Sequence, residues 1–85
     1  MSISDRARRL VVGFLAERGR ATDALTDTTP LVTNGLLDSI DVLTLVLLIE
    51  EEFGFAISPL DVSLDQLDSI DRIRRFVERK INGQG

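Results

Sequence analysis

An all-α four-helix bundle, with three main helices, one short helix and a long loop between helices 1 and 2, is the fold this sequence predicts. Three observations carry that expectation. Apolar residues recur at helical spacing near both ends: Ile3, Ala7, Leu10, Val11, Phe14 and Leu15 early, Ile70, Ile73, Phe76, Val77 and Ile81 late. Short polar residues suited to capping precede each apolar stretch, namely Ser2 or Ser4, Asp38 or Ser39, Ser58 and Ser69. Finally, the one strand-like run, Phe55-Ala56-Ile57, is too short to count in a chain with no other strand signal.

The first helix is expected from residue 2 or 4 to about 18, with Gly19 as its stop and Arg6, Arg8, Arg9 and Arg18 on a solvated face. Residues 20–37 form a connection rich in threonine, aspartate, proline and glycine. Within it Asp27-Thr28-Thr29-Pro30 signals a turn, because proline fixes its own φ and holds Thr29 extended. A loop of that length in a small domain generally has a task. Leu25, Leu31, Val32, Leu36 and Leu37 are expected to pin it to the core, and Asn34-Gly35 to turn the chain just before the second helix.

That second helix, about 39–52, is unusually apolar. Val42, Leu43, Leu45, Val46, Leu47, Leu48 and Ile49 are broken only by Thr44, more apolar surface than the ~100° stripe a core needs. Two readings stand side by side: a central helix packed on several sides, or a helix whose surplus lines a channel for an attached chain or docks against partner enzymes. The short helix is expected to open at Ser58-Pro59 and run to about residue 64 or 67, proline being at home in a first helical turn. The last helix spans about 69–81, with its arginines and Lys80 outward and Asn82-Gly83 as terminator.

Eighty-five residues make a single domain, 1–85, whose stability margin is roughly 5 to 10 kcal/mol. The absence of cysteine removes disulfides and thiolate metal sites, and the absence of histidine removes the commonest general base and metal ligand. A serine nucleophile would have no histidine beside it, so an enzyme and a metal site are both expected to be absent. No apolar run approaches the ~20 residues that span a bilayer, and the charged residues 1–9 do not resemble a signal peptide. A cytoplasmic monomer without membrane insertion is expected.

The formal charge of −4 conceals a division. Between Ala21 and Asp71 there are eleven acids and no lysine or arginine, leaving the centre at −11 and the two ends at +7. Such a field repels nucleic acid and steers basic partner surfaces toward the centre.

Leu-Asp-Ser-Ile-Asp occurs twice, at 37–41 and at 67–71. Both copies can cap a helix, but only the first follows a glycine-containing loop and opens the apolar helix with its Glu50-Glu51-Glu52 end. A phosphodiester on Ser39 would meet free amides and the positive end of the helix dipole. The second copy opens a helix that turns basic at once with Arg72, Arg74 and Arg75, so Ser69 is assigned to capping alone.

Asp38-Ser39-Ile40, approached through Gly35 and followed by an apolar helix ending Glu50-Glu51-Glu52-Phe53-Gly54, resembles the modification site of acyl carrier proteins. The resemblance extends from Asp27-Thr28-Thr29-Pro30-Leu31 to the last helix. It implies that Ser39 carries 4'-phosphopantetheine taken from coenzyme A by a phosphopantetheinyl transferase. It further implies acyl cargo held as a thioester for acyl-loading, synthase or transferase enzymes with basic docking surfaces. Asp38, Ile40, Asp41, Val42, Glu50 and Glu51 would meet those partners. Thr44, where fatty-acid carriers commonly have an acid, and the Asp-Thr-Thr-Pro-Leu element look more like free-standing carriers of polyketide or other specialised biosynthesis. An aminoacyl or peptidyl carrier is the nearest alternative, and an unmodified helical interaction module the alternative from another class.

Overall fold

The computed structural model describes residues 2–58 and 62–83, and among them there are three α-helices, one 3-10 turn and no strand. Helix α1 is Ile3–Glu17, α2 is Ser39–Phe53 and α3 is Ile70–Ile81. The short helix expected from Ser58-Pro59 falls partly on residues 59–61, outside the described residues. Downstream of them the chain makes a single 3-10 turn, Asp65–Leu67. The described residues are therefore all-helical, with three main helices and one 3-10 turn.

Each helix starts on a side chain that accepts from an otherwise unpaired first-turn amide. Ser2 caps α1 by accepting from the Asp5 amide at 3.0 Å, Asp38 caps α2, and Ser69 caps α3 by accepting from Arg72 at 3.1 Å. The end of α1 is a Schellman motif: the Gly19 amide donates to the Ala16 carbonyl and the Arg20 amide to that of Leu15, both at 3.0 Å. This needs a left-handed residue at position 19, and glycine takes it at φ 72° without a Cβ penalty. Arg20 thereby leaves α1 in one fixed direction.

The core gathers Ala7, Val11, Phe14 and Leu15 of α1, Val42, Leu45 and Ile49 of α2, and Ile70, Ile73, Phe76 and Val77 of α3. Ile3, Leu10 and Val32, expected inside, sit half-buried at its margin. Helix α2 is not enclosed on several sides. Its buried apolar residues fall on a single stripe, while Ile40, Leu43 and Leu47 are 69%, 67% and 59% exposed.

The long loop is fastened by apolar anchors and by polar ones. Leu25, Leu31 and Leu37 are buried, as expected. The polar anchors come from the basic first helix and the start of α3. Arg8 donates to the Asp27 carboxylate at 2.6 Å and the Leu25 carbonyl at 3.2 Å, and the Asp71 amide donates to the Asp27 carbonyl at 2.8 Å. The Asp68 carboxylate accepts from the amides of Leu31, Val32 and Thr33 at 3.2, 2.8 and 3.0 Å and from the Thr33 hydroxyl at 2.6 Å. Four donors on one carboxylate satisfy backbone that a loop against a core would otherwise leave unpaired.

Those donors, the Thr33 hydroxyl first and then the three amides, hold the Asp68 carboxyl below the usual carboxylate range against the opposing effect of burial. A carboxyl whose folded-state pKa is lowered stabilises the fold above its unfolded value, near ~3.9, and that contribution is lost as pH falls through the lowered value. Asp41 and Asp71, both lowered by arginine hydrogen bonds, act in the same sense. The urea midpoint, followed by circular dichroism, is therefore expected to hold level from neutral pH to about 5 and to fall below about 4. Asp68→Ala is expected to lower the midpoint at pH 7 and to make the acid decline shallower.

Candidate functional site

The head of α2 is built around a reciprocal capping box. The Asp41 amide donates to Oδ1 of Asp38 at 2.8 Å, and the Asp38 amide returns a bond to Oδ2 of Asp41 at 3.1 Å. Asp38, not Ser39, is thus the cap, and Ser39 becomes the first residue of the helix. Its side chain is exposed and its hydroxyl has no partner among the described residues. The amides of Ser39 and Ile40 lie in the first turn, ahead of the helical ladder, and the positive end of a 15-residue helix faces outward there.

Asp41 is 1% exposed. Arg20 bonds its Oδ2 and Arg18 lies 3.3 Å from its Oδ1, so both carboxylate oxygens have a cation. Arg20's hydrogen bond, then that of the Asp38 amide, keeps this carboxyl well below its ordinary pKa, overcoming burial. The guanidinium of Arg18 also lies over the Phe14 ring, 4.9 Å from its centroid.

The expected contact residues divide. Ile40 and Glu51 are exposed, and Asp38 is exposed although its carboxylate is engaged in the cap. Asp41 and Val42 are a correction: both are buried, Asp41 by its arginine clamp and Val42 by the core, so neither side chain is presented to a partner. Glu50 faces inward enough to accept the Ile57 amide at 2.6 Å. The sequence reading put Leu43 and Leu47 in the apolar surplus of this helix without separating them from its core residues; with Ile40 they are the ones left exposed. It overlooked Arg18 and Arg20 as partners of Asp41, which no spacing in the sequence announces.

The acidic centre is less unopposed than its sequence implies, because the basic ends fold back onto it. Arg6 pairs with Glu52 at 2.9 Å, Arg8 with Asp27 at 2.6 Å, Arg72 with Asp65 at 2.5 Å, and Arg74 and Arg75 with Asp71 at 2.8 and 3.0 Å. What remains beside Ser39 is chiefly apolar. A groove of about 410 Å³ lies between α2 on one side and Ile57 and residues 62–67 on the other, lined by Val42, Leu43, Val46, Ile57, Leu64 and Leu67 among others. A wider hollow of about 740 Å³ between α1 and the far end of α2 has a charged rim, including Arg6, Arg9, Glu51 and Glu52, and lies away from Ser39. Among the described residues no group of acids could hold a metal ion, and no helix is long and apolar enough to cross a membrane.

The head of α2 thus presents an exposed serine hydroxyl on the N-terminus of a helix in an all-helical bundle. Residues 9–77 match the family model described as a phosphopantetheine attachment site, and the chain belongs to that family. A holo acyl carrier protein from Nitrosomonas europaea, solved by solution NMR, superposes with a TM-score of 0.76 at 25% identity, covering 96% of this chain and 99% of that one. A D-alanyl carrier protein from Abiotrophia defectiva is 34% identical over 47 residues, 55% of this chain. The chain spans 60% of that relative's length. The family and the fold are those of carrier proteins and not of enzymes, and the prosthetic group that goes with them is covalently attached 4'-phosphopantetheine. The head of α2 fits that group, with an unpartnered hydroxyl to esterify and first-turn amides to receive a phosphate.

The two serines of the repeated pentapeptide should separate in stability. Ser69 is 6% exposed and its hydroxyl is committed to Arg72, so Ser69→Ala is expected to cost about 1 kcal/mol. Ser39→Ala removes no contact and is expected to stay within about 0.5 kcal/mol of the parent in urea unfolding.

Proposed function

We propose that Ser39 is the attachment residue and that the chain carries acyl groups as thioesters for partner enzymes of a polyketide or other specialised pathway. The observation that carries the assignment is the contrast within the repeat. Ser39 is exposed with a free hydroxyl because Asp38 has taken the cap, whereas Ser69 is buried and is itself the cap.

In loading, the Ser39 oxygen forms a bond to phosphorus while the pyrophosphate P–O bond of coenzyme A breaks and the nucleotide leaves. The Asp38 carboxylate beside Ser39 is engaged in the cap, so the base that takes the serine proton is assigned to the transferase. The chain's own part is presentation: Asp38 and Asp41 hold the first turn open, and the amides of Ser39 and Ile40 receive the phosphate charge. Once attached, the arm supplies a thiol for thioester exchange, and tethering raises the cargo's effective concentration at each partner's site.

Ile40, Leu43 and Leu47 form an exposed stripe on α2 with Asp38 at one end and Glu51 at the other. A partner surface that is apolar at its middle and basic at its rim complements it. Thr44, whose hydroxyl bonds back to the Ile40 carbonyl at 3.2 Å, leaves the middle of that stripe uncharged, which supports a setting outside fatty-acid synthesis. A second reading, an aminoacyl carrier, is favoured by the likeness to a D-alanyl carrier protein.

Incubation with coenzyme A and a broad-specificity phosphopantetheinyl transferase, followed by intact-mass measurement, is expected to show one phosphopantetheinyl addition. Ser39→Ala should abolish it and Ser69→Ala should retain it. No gain on the parent chain would leave an unmodified interaction module as the reading. Loading the arm with acyl or aminoacyl groups by candidate partner enzymes separates the two cargo classes.

A further inference from the structure

The end of α1 and the start of α2 are joined through a single side chain. Arg20 is fixed at its backbone by the Schellman bond to the Leu15 carbonyl, 3.0 Å. Its Nη1 then donates to two acceptors flanking the site, the Leu36 carbonyl at 2.6 Å and Oδ2 of Asp41. The same Oδ2 accepts from the Asp38 amide at 3.1 Å, and Asp38 directly precedes Ser39. One nitrogen therefore ties the approach loop, the capping box and the first helix together.

We infer that Arg20 is a positioning residue for the Ser39 hydroxyl, acting through Leu36, Asp41 and Asp38 rather than by touching the incoming group. This rests on Ser39 being the attachment residue. Without Arg20 the Leu36 carbonyl loses its donor, and Asp41 keeps only Arg18 at 3.3 Å and the Asp38 amide. Two restraints on the segment leading into Ser39 disappear together. The core that holds α2 is untouched, since Leu37, Leu45 and Ile49 are buried independently of the latch. The first turn then samples several orientations, and only a fraction place the hydroxyl in line with the phosphorus it must attack.

The test is phosphopantetheinyl transfer kinetics on the whole chain, parent against Arg20→Met, which keeps an unbranched stem but has no donor. A positioning role lowers kcat about tenfold, while KM, which reports docking of the chain on the transferase, stays within about twofold. Amide exchange should quicken at residues 38–41 and remain unchanged in α1 and α3, where a general loss of structure would quicken both. A kcat within about twofold of the parent, whether or not KM rises, overturns the inference and makes Arg20 a docking charge or a bystander. Should Arg20→Met not fold, Arg20→Gln, too short to reach both acceptors, is judged by the same criteria. A parent chain that takes no arm overturns the Ser39 assignment itself. A parent that is modified beside an Arg20→Met chain of equal kcat overturns only the positioning role.

Discussion

The buried carboxylate of Asp41 is the constraint on which the working end of this molecule depends. An ionised group removed from water is tolerable only when its oxygens are fully engaged, and here they take two arginines and a backbone amide. Each donor comes from a different stretch: Arg18 closes α1, Arg20 opens the long loop, and Asp38 caps α2. Meeting the electrostatic need of one side chain thus brings three segments to one point. The reciprocal cap that Asp41 makes with Asp38 then settles a further question, which residue of the pair at 38 and 39 does the capping. Because the aspartate does, the serine oxygen has no structural duty and is left outside.

The duplicated pentapeptide shows how much turns on that choice. In the first copy the helix begins at the serine; in the second it begins one residue later, at Ile70, because Ser69 caps while Asp68 turns away to hold the amides of residues 31–33. A shift of one residue rotates each side chain by about 100° about the axis. Ile40 is accordingly 69% exposed and Ile70 1% exposed, and Asp41 is buried where Asp71 pairs with Arg74 and Arg75 nearer the surface. Leu37 and Leu67 are both buried, but the serine and isoleucine of the two copies take opposite exposures, because partners distant in sequence decide which oxygen is free to cap.

That is also the boundary of what could be read from the residues in advance. Helix ends were legible wherever the signal is local: Ser2, Gly19, Ser69 and the Asp38-Ser39 pair all mark boundaries, and the apolar periodicity of α1 and α3 names half of the buried core. The likeness around Ser39 gave the carrier family before any coordinates. The fate of the charges was not legible. A stretch without lysine or arginine reads as an open acidic field, yet Glu52, Asp27, Asp41, Asp65 and Asp71 each receive an arginine, most of them from residues outside that stretch that only the fold brings near. Asp41 and Val42 were misplaced onto the surface for a related reason, since proximity to Ser39 along the chain says nothing about direction around the helix.

Direction around the helix accounts for the composition of α2. The buried set 42, 45 and 49 and the exposed set 40, 43 and 47 have the same helical spacing but are centred about 160° apart, on opposite faces of the cylinder. One face satisfies the fold, and adding a second raises the mean apolarity without widening the core stripe. An exposed apolar stripe of this kind carries a standing risk of association, and soluble domains seldom keep one without a use. Ser39 lies at the head of the helix on the side nearer the exposed stripe. In the proposed function the attachment point and the surface for partners thus share a side, and the core, on the other, need not move when either is engaged.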